Sequence, residues 1–208
     1  MNDRATYENT MTGKAYYITH PQVNIDPDID VPRWGLSDVG KQRVASLVDK
    51  LSINEAKKHE LAIVSSDEVK AVETAKPIAD FFKCELIIDP LMGENDRSAT
   101  GFLKPDKFEQ VANQFFANPD ENILGWESAR DAQKRIVDRF NAHLSDNEDL
   151  DIIFVGHGAV GTLLYCHLAG ETIDRKFDQT GGGGNFYKID TSTSSALTHW
   201  QPIENFSF

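Results

Sequence analysis

Two histidines in this chain stand directly behind short apolar runs. Ala15-Tyr16-Tyr17-Ile18 leads into Thr19-His20, and Ile152-Ile153-Phe154-Val155 leads into Gly156-His157-Gly158. A third run, Leu61-Ala62-Ile63-Val64, leads into Ser65-Ser66. Imidazole carries protons and acts as a nucleophile near neutral pH. Glycines on both sides of His157 let a ligand approach the backbone. One histidine at a strand end is usually structural, but two at equivalent ends point to a site.

The elements that must position them can be read from the pattern. Runs of that length, aromatic or β-branched, predict strands buried on both faces, as in a parallel sheet. Helical patterns follow over 67–82 and 159–168, Ser37 caps a helix to about Leu51, and a further helix runs from Glu127 to about Leu144. More strands are expected at 84–88, 185–189 and 196–200. The alternation predicts an α/β fold, a three-layer, doubly wound and mostly parallel sheet. Ligands of such sheets bind beyond the carboxyl ends of the strands, which puts His20, Ser65, Ser66 and His157 on one edge.

The segment 96–125, with Phe102, Phe108, Phe115 and Phe116, fits the alternation poorly and is expected to be a small helical cap insertion. The expected organisation is a flexible leader over 1–13 and a single domain over 14–208. Gly181–Gly184 reads as a flexible turn into a strand and lacks the spacing of a nucleotide loop.

At 208 residues, 40% hydrophobic and 26% charged, the composition is that of one soluble globular domain. No apolar run approaches the roughly 20 residues that cross a bilayer, and the polar N-terminus has no signal-peptide centre, so a cytoplasmic protein without membrane contact is expected. Cys84 and Cys166 read as buried free thiols of a reducing compartment. A net charge of −12 with no basic stripe argues against a nucleic-acid partner. It also means that an anionic substrate needs a locally positive pocket. No signal sets the oligomeric state.

Six short motifs then line up in order. They are Thr19-His20-Pro21, Leu36-Ser37-Asp38-Val39-Gly40, the stretch from Ser66 through Lys70-Ala71 to Thr74-Ala75, Asp89-Pro90-Leu91-Met92-Gly93-Glu94, Gly125-Trp126-Glu127-Ser128 and Gly156-His157-Gly158. From residue 14 to about 190 their order and spacing resemble the histidine phosphatase superfamily, which includes the phosphoglycerate mutase-like enzymes. That resemblance implies a metal-independent phosphomonoesterase, without a cofactor, acting on a small phosphorylated substrate through a phosphohistidine. It makes His20 the nucleophile, its other ring nitrogen held by a backbone carbonyl, and His157 the second histidine that meets the phosphoryl oxygens. Glu94 matches the carboxyl that protonates the leaving oxygen and later activates water. Amides behind Ser66 add anion donors. The motif match accounts for His20, His157 and Glu94 without a metal, leaving a metal site as the minor alternative.

The sequence departs from the family in its phosphate pocket. Thr19 and Lys70 stand where the family carries arginines, and Pro21 replaces a glycine, removing a backbone donor. Thr19, Lys70 and Ser66 are still expected to bind phosphate. Arg33, in a loop made acidic and proline-rich by residues 26–32, is expected to replace the missing charge in preference to Arg97. Glu127 and Ser128 are read as helix caps, Phe102 and Trp126 as candidate lining of an opening, and His59, His143, His167 and His199 as surface or helix-face residues. Residues 95–102 do not resemble the stretch typical of mutases, which makes mutase activity the lesser reading. The alternative to an enzyme is a catalytically weakened member that binds a phosphorylated ligand or partner.

Overall fold

The three apolar runs lie side by side and parallel. The computed structural model describes residues 13–53 and 61–208. In chain order the elements are β1 (Lys14–Thr19), α1 (Asp38–Ile53), β2 (Leu61–Ser65), α2 (Val69–Phe82), β3 (Leu86–Ile88), α3 (Pro105–Ala117), α4 (Ala129–Asp146), β4 (Asp151–Gly156), α5 (Gly158–Leu168), β5 (Asn185–Asp190), β6 (Ser195–Ala196) and β7 (Gln201–Pro202), with short 3₁₀ turns between some of them. The sheet order is β3-β2-β4-β1-β5-β6, with β7 also on β5. β3, β2, β4 and β1 are mutually parallel, and β5 runs antiparallel to β1. Thr19 pairs with Gly156 and Ser65 with Val155, so the residues behind all three strands emerge on one edge.

Alternation along the strands divides the core into two layers. Tyr16, Ile18, Ile63, Ile153, Val155 and Phe186 pack with Leu47 and Leu51 of α1 and with Ala75 and Ile78 of α2. Ala15, Tyr17, Val64, Phe154 and Tyr187 face the other way, onto Phe115, Ile136, Phe140 and Leu163 of α3, α4 and α5. Helices therefore cover both faces, the three-layer α/β arrangement that the alternation predicts.

Local chemistry sets the element ends. Ser37 caps α1, its Oγ accepting from the Gly40 amide at 3.2 Å. Gly40 is required by close approach, since a Cβ there would stand 2.2 Å from the Gln22 carbonyl oxygen. That contact ties α1 to the loop behind His20. Ser128 caps α4, accepting from the Asp131 amide at 3.1 Å. α2 starts two residues later than expected because Ser66 turns the chain first, its Oγ accepting from the Glu68 amide at 3.3 Å.

The strand expected at 196–200 is instead the two short pieces β6 and β7. The Thr198 hydroxyl takes the Lys188 amide at 3.1 Å, in place of a backbone carbonyl, and the ladder stops there. The leader expected over 1–13 lies outside the described residues except for Gly13. Between β3 and α4 the chain makes the α3 excursion, which buries Val111, Ala112, Phe115 and Phe116. Among the described residues no helix is long and apolar enough to cross a membrane.

Candidate active site

His20 is fixed by its own backbone and by the glycine run. Its amide donates to the Gly156 carbonyl at 3.0 Å, and its carbonyl accepts from the Gly184 amide at 2.9 Å. The ring Nδ1 stands 2.8 Å from the Pro21 carbonyl oxygen. A carbonyl only accepts, so Nδ1 holds the hydrogen and Nε2 keeps its lone pair. Burial lowers the His20 pKa to about 4; the Pro21 hydrogen bond opposes this, and the charges of Lys70 and Arg97 add to it. The ring is neutral at pH 7. Pro21 removes a donor but supplies the carbonyl that orients the imidazole.

His157 is fully buried beside it, the two ring centroids 5.3 Å apart and inclined at 67°. Tyr17 pins its backbone: the Tyr17 hydroxyl accepts from the His157 amide at 3.2 Å and donates to the His157 carbonyl at 3.3 Å. The His157 Nε2 lies 2.7 Å from Ser66 Oγ and 3.3 Å from Glu68 Oε1. Its Nδ1 has no partner among the described residues. Burial lowers its pKa to about 4, against the pull of Glu68 and Glu94.

Glu68 is the site residue that sequence reasoning missed. Its carboxylate takes the Lys70 ammonium in a buried ion pair, accepts from the Glu94 amide at 3.0 Å and lies against His157. Burial alone would raise its pKa, but His157, Lys70 and the Glu94 amide hold it down at about 2. Lys70 makes its other contact to the Val31 carbonyl at 3.0 Å. The signal was available, because Glu68 lies two residues before Lys70 inside the motif that brought Lys70 to notice.

Glu94 caps the helix that follows His157. Its Oε1 accepts from the Val160 amide at 3.0 Å and the Asn95 amide at 3.2 Å, and its Oε2 from the Ala159 amide at 3.2 Å. Arg135 holds the loop from behind, donating to the carbonyls of Leu91, Gly93 and Glu94 while forming an ion pair with Glu127. Glu127 is thus an anchor for Arg135 and accepts from the Asp96 amide, a different role from the cap expected of it.

The remaining expected phosphate ligands separate. The Thr19 hydroxyl is buried and its hydrogen bonds are taken up, donating to Gln179 Oε1 at 2.6 Å and accepting from the Asn185 amide at 3.0 Å. Ser66 is buried under His157 and orients that ring. Arg33 is exposed, and Arg97, not Arg33, is among the charges that act on His20, which runs against the preference for Arg33. Arg97 lines the cleft, its guanidinium 5.2 Å from the Phe108 ring centroid and 5.6 Å from that of Trp126.

The cleft encloses about 800 Å³ and has Glu68, Glu94, Asn95, Arg97 and Phe102 in its walls. Trp126 is buried behind it, its Nε1 donating to Thr100 Oγ1 at 2.8 Å. Elsewhere, of the two places expected for His143, the helix face is the one it takes: it lies on α4, buried and bonded to Asp89 at 2.8 Å. Cys166 is buried and Cys84 only partly so. His59 lies outside the described residues. Among the described residues no group of three or more His, Cys, Asp or Glu is disposed to hold a metal ion.

Fold and edge define the class first: a three-layer α/β protein whose paired histidines and cleft carboxylates meet behind parallel strands. The histidine phosphatase superfamily (branch 1) profile matches residues 21–195, and the chain belongs to that superfamily. Its fold is similar to that of mycobacterial glucosyl-3-phosphoglycerate phosphatase in complex with inorganic phosphate (TM-score 0.70, 17% identity, covering 92% of this chain and 99% of that one). It is similar also to Bacillus stearothermophilus YhfR (TM-score 0.73, 19% identity, 94% and 98%). A third is Entamoeba histolytica phosphoserine phosphatase in complex with 3-phosphoglyceric acid (TM-score 0.73, 17% identity, 93% and 100%). At such identities the likeness establishes the fold. No curated protein matches the chain in sequence.

Proposed function

We propose that this protein is a phosphomonoesterase that works in two displacements through a phosphohistidine on His20, without a metal. The observation that carries this reading is the hydrogen bond from His20 Nδ1 to the Pro21 carbonyl, which leaves Nε2 with a free lone pair on a neutral ring at the strand edge. In the first displacement the Nε2–P bond forms as the ester P–O bond breaks, and Glu94 gives a proton to the leaving oxygen. In the second, Glu94 takes a proton from water, the water oxygen bonds phosphorus and the N–P bond breaks, releasing phosphate. Arg97 and the amides opening α2 are available to the phosphoryl charge, and His157 and Lys70 can join them where the phosphoryl group displaces the Glu68 carboxylate. The segment 96–125 serves as the cap that selects the substrate, presenting Arg97 and Phe102 to the cleft. Similar folds that bear the names of phosphatases of glucosyl-3-phosphoglycerate and of phosphoserine support a small phosphorylated substrate and hydrolysis in preference to a mutase reaction.

The test is the phosphoenzyme itself. On rapid mixing with a nitrophenyl phosphate, intact-mass analysis should show one added phosphoryl group, acid-labile as a phosphohistidine is, unchanged by excess chelator and absent in His20→Ala. The buried ion pair of Glu68 with Lys70 favours a second reading, a weakened member that only binds a phosphorylated ligand. Vanadate binding without any phosphoenzyme across a broad panel of esters would select that reading.

A further inference from the structure

The groups nearest the two histidines that could receive an anion already have one. We propose that Glu68 sets how tightly the pocket holds phosphate, its carboxylate occupying the end of Lys70 and lying against His157, where phosphate would otherwise bind, so that free phosphate is held weakly and leaves after each turnover. The inference rests on reading this pocket as a phosphate site.

Two donors converge on this one side chain, and a ring nitrogen lies against it. Lys70 Nζ is paired to Oε2, and the Glu94 amide reaches Oε1 at 3.0 Å. The same Oε1 lies 3.3 Å from His157 Nε2. Glu68 is 9% exposed and Lys70 is 3% exposed, so the pair is held in place by its surroundings. An ionised carboxylate only accepts, as phosphate oxygens do. The two anions therefore compete for the same donors.

Charge sharpens the competition. Lys70 alone would attract a phosphate dianion, but with Glu68 beside it the pair is neutral. Inorganic phosphate offers only its own oxygens to overcome this. An ester also offers the rest of its molecule to the cleft walls at Arg97 and Phe102, and that binding can offset the displacement of Glu68. Glu68 thus weakens the hold on the phosphoryl group that substrate and product share, and the cleft contacts that only the ester makes separate the two.

The experiment compares inorganic phosphate binding by calorimetry in the wild-type chain and in Glu68→Gln, with thermal unfolding by circular dichroism as the check that each is folded. The expected result is phosphate affinity higher by about 10- to 100-fold in Glu68→Gln, the scale of one or two factors of ten for a removed neighbouring charge. Phosphate should become a stronger product inhibitor by a similar factor. The gain should vanish in Glu68→Gln/Lys70→Met, because it comes from the freed ammonium. If Glu68→Gln does not fold, Glu68→Met makes the same comparison. Unchanged or weaker phosphate binding in a folded variant overturns the proposal and makes Glu68 a support for Lys70. Phosphate binding is measured without turnover, so a failure to form the phosphoenzyme would sink the proposed function and leave this comparison standing.

Discussion

The carboxylate of Glu94 lies across the first amides of the helix behind His157, with Oε1 3.0 Å from the Val160 nitrogen. The acid proposed for catalysis and the second histidine are thereby held by one helix start. Alkyl phosphates leave as strongly basic alkoxides and need a proton, whereas a nitrophenolate leaves unaided. Glu94→Gln should slow His20 phosphorylation by alkyl phosphates about 10²–10⁴-fold, the usual range for general acid catalysis. Phosphorylation by a nitrophenyl phosphate should change far less, while hydrolysis of the phosphoenzyme slows because Glu94 also activates the water. Quenched-flow timing of both steps checks this. Equal losses in the phosphorylation step for the two substrates would move the role to Asp96, since Glu127 is engaged with Arg135.

Arg97 is the arginine in the cleft wall, and its charge is felt at His20. Its guanidinium is posed by the Phe108 and Trp126 rings, an arrangement that leaves its N–H edge available to an anion. Arg97→Ala should cost about 2–4 kcal/mol of transition-state stabilisation, the scale of one oxyanion donor. Arg33→Ala should leave kcat/KM close to wild type. The reverse pattern of losses would return the role to Arg33.

The paired histidines make stability depend on pH in a defined direction. Burial lowers the pKa of each from 6.5 to about 4, with the neighbouring charges as further causes. Below pH 6.5 the unfolded chain binds protons that the folded chain does not, so stability falls as the pH falls towards 4. The slope should be on the order of 1 kcal/mol per pH unit for each histidine. Urea unfolding between pH 7 and 5 measures it. His20→Asn/His157→Asn should flatten the profile there. A wild-type profile already flat across that range, or imidazole NMR titrations near 6.5, would contradict both shifts.

What the sequence made legible was local. A β-branched run followed at once by His or Ser places that residue at a strand end, and so His20, Ser66 and His157 do share an edge. Side-chain direction was less accessible. Thr19 is the last strand residue before His20, and its hydroxyl is taken up by Gln179 and Asn185, partners 160 and 166 positions away that the local pattern does not reveal. His143 does lie on a helix face, but its buried bond to Asp89 was hidden because the two are 54 positions apart. Glu68 was passed over for a related reason: charge counting along the motif registers Lys70 as a cation, and only the fold turns the carboxylate back onto it. Arg33 ends a short 3₁₀ turn and Arg97 sits in a loop, so spacing gives neither a direction, and the fold separates them by placing the Arg97 charge where it acts on His20.

The four-glycine run, read from sequence as a flexible turn, supports His20, and two substitutions separate the ways it does so. Gly181 and Gly183 both have positive φ, 76° and 88°. An alanine at either position carries the left-handed penalty of about 1–2 kcal/mol. Around Gly181 a Cβ would meet nothing within 4 Å, but at Gly183 it would stand 2.3 Å from the His20 carbonyl oxygen. That oxygen accepts from the Gly184 amide, and Arg43 donates to the Gly183 carbonyl at 2.9 Å, so neither partner can yield freely. Gly181→Ala should lower stability by about 1–2 kcal/mol and leave the rate of His20 phosphorylation unchanged. Gly183→Ala should cost more and also slow phosphorylation, because the backbone that must shift is the one that aims Nε2. Chemical denaturation gives the first quantity and single-turnover kinetics the second. Equal effects of the two alanines on both measurements would mean that the glycines serve only the turn and that His20 is positioned without them.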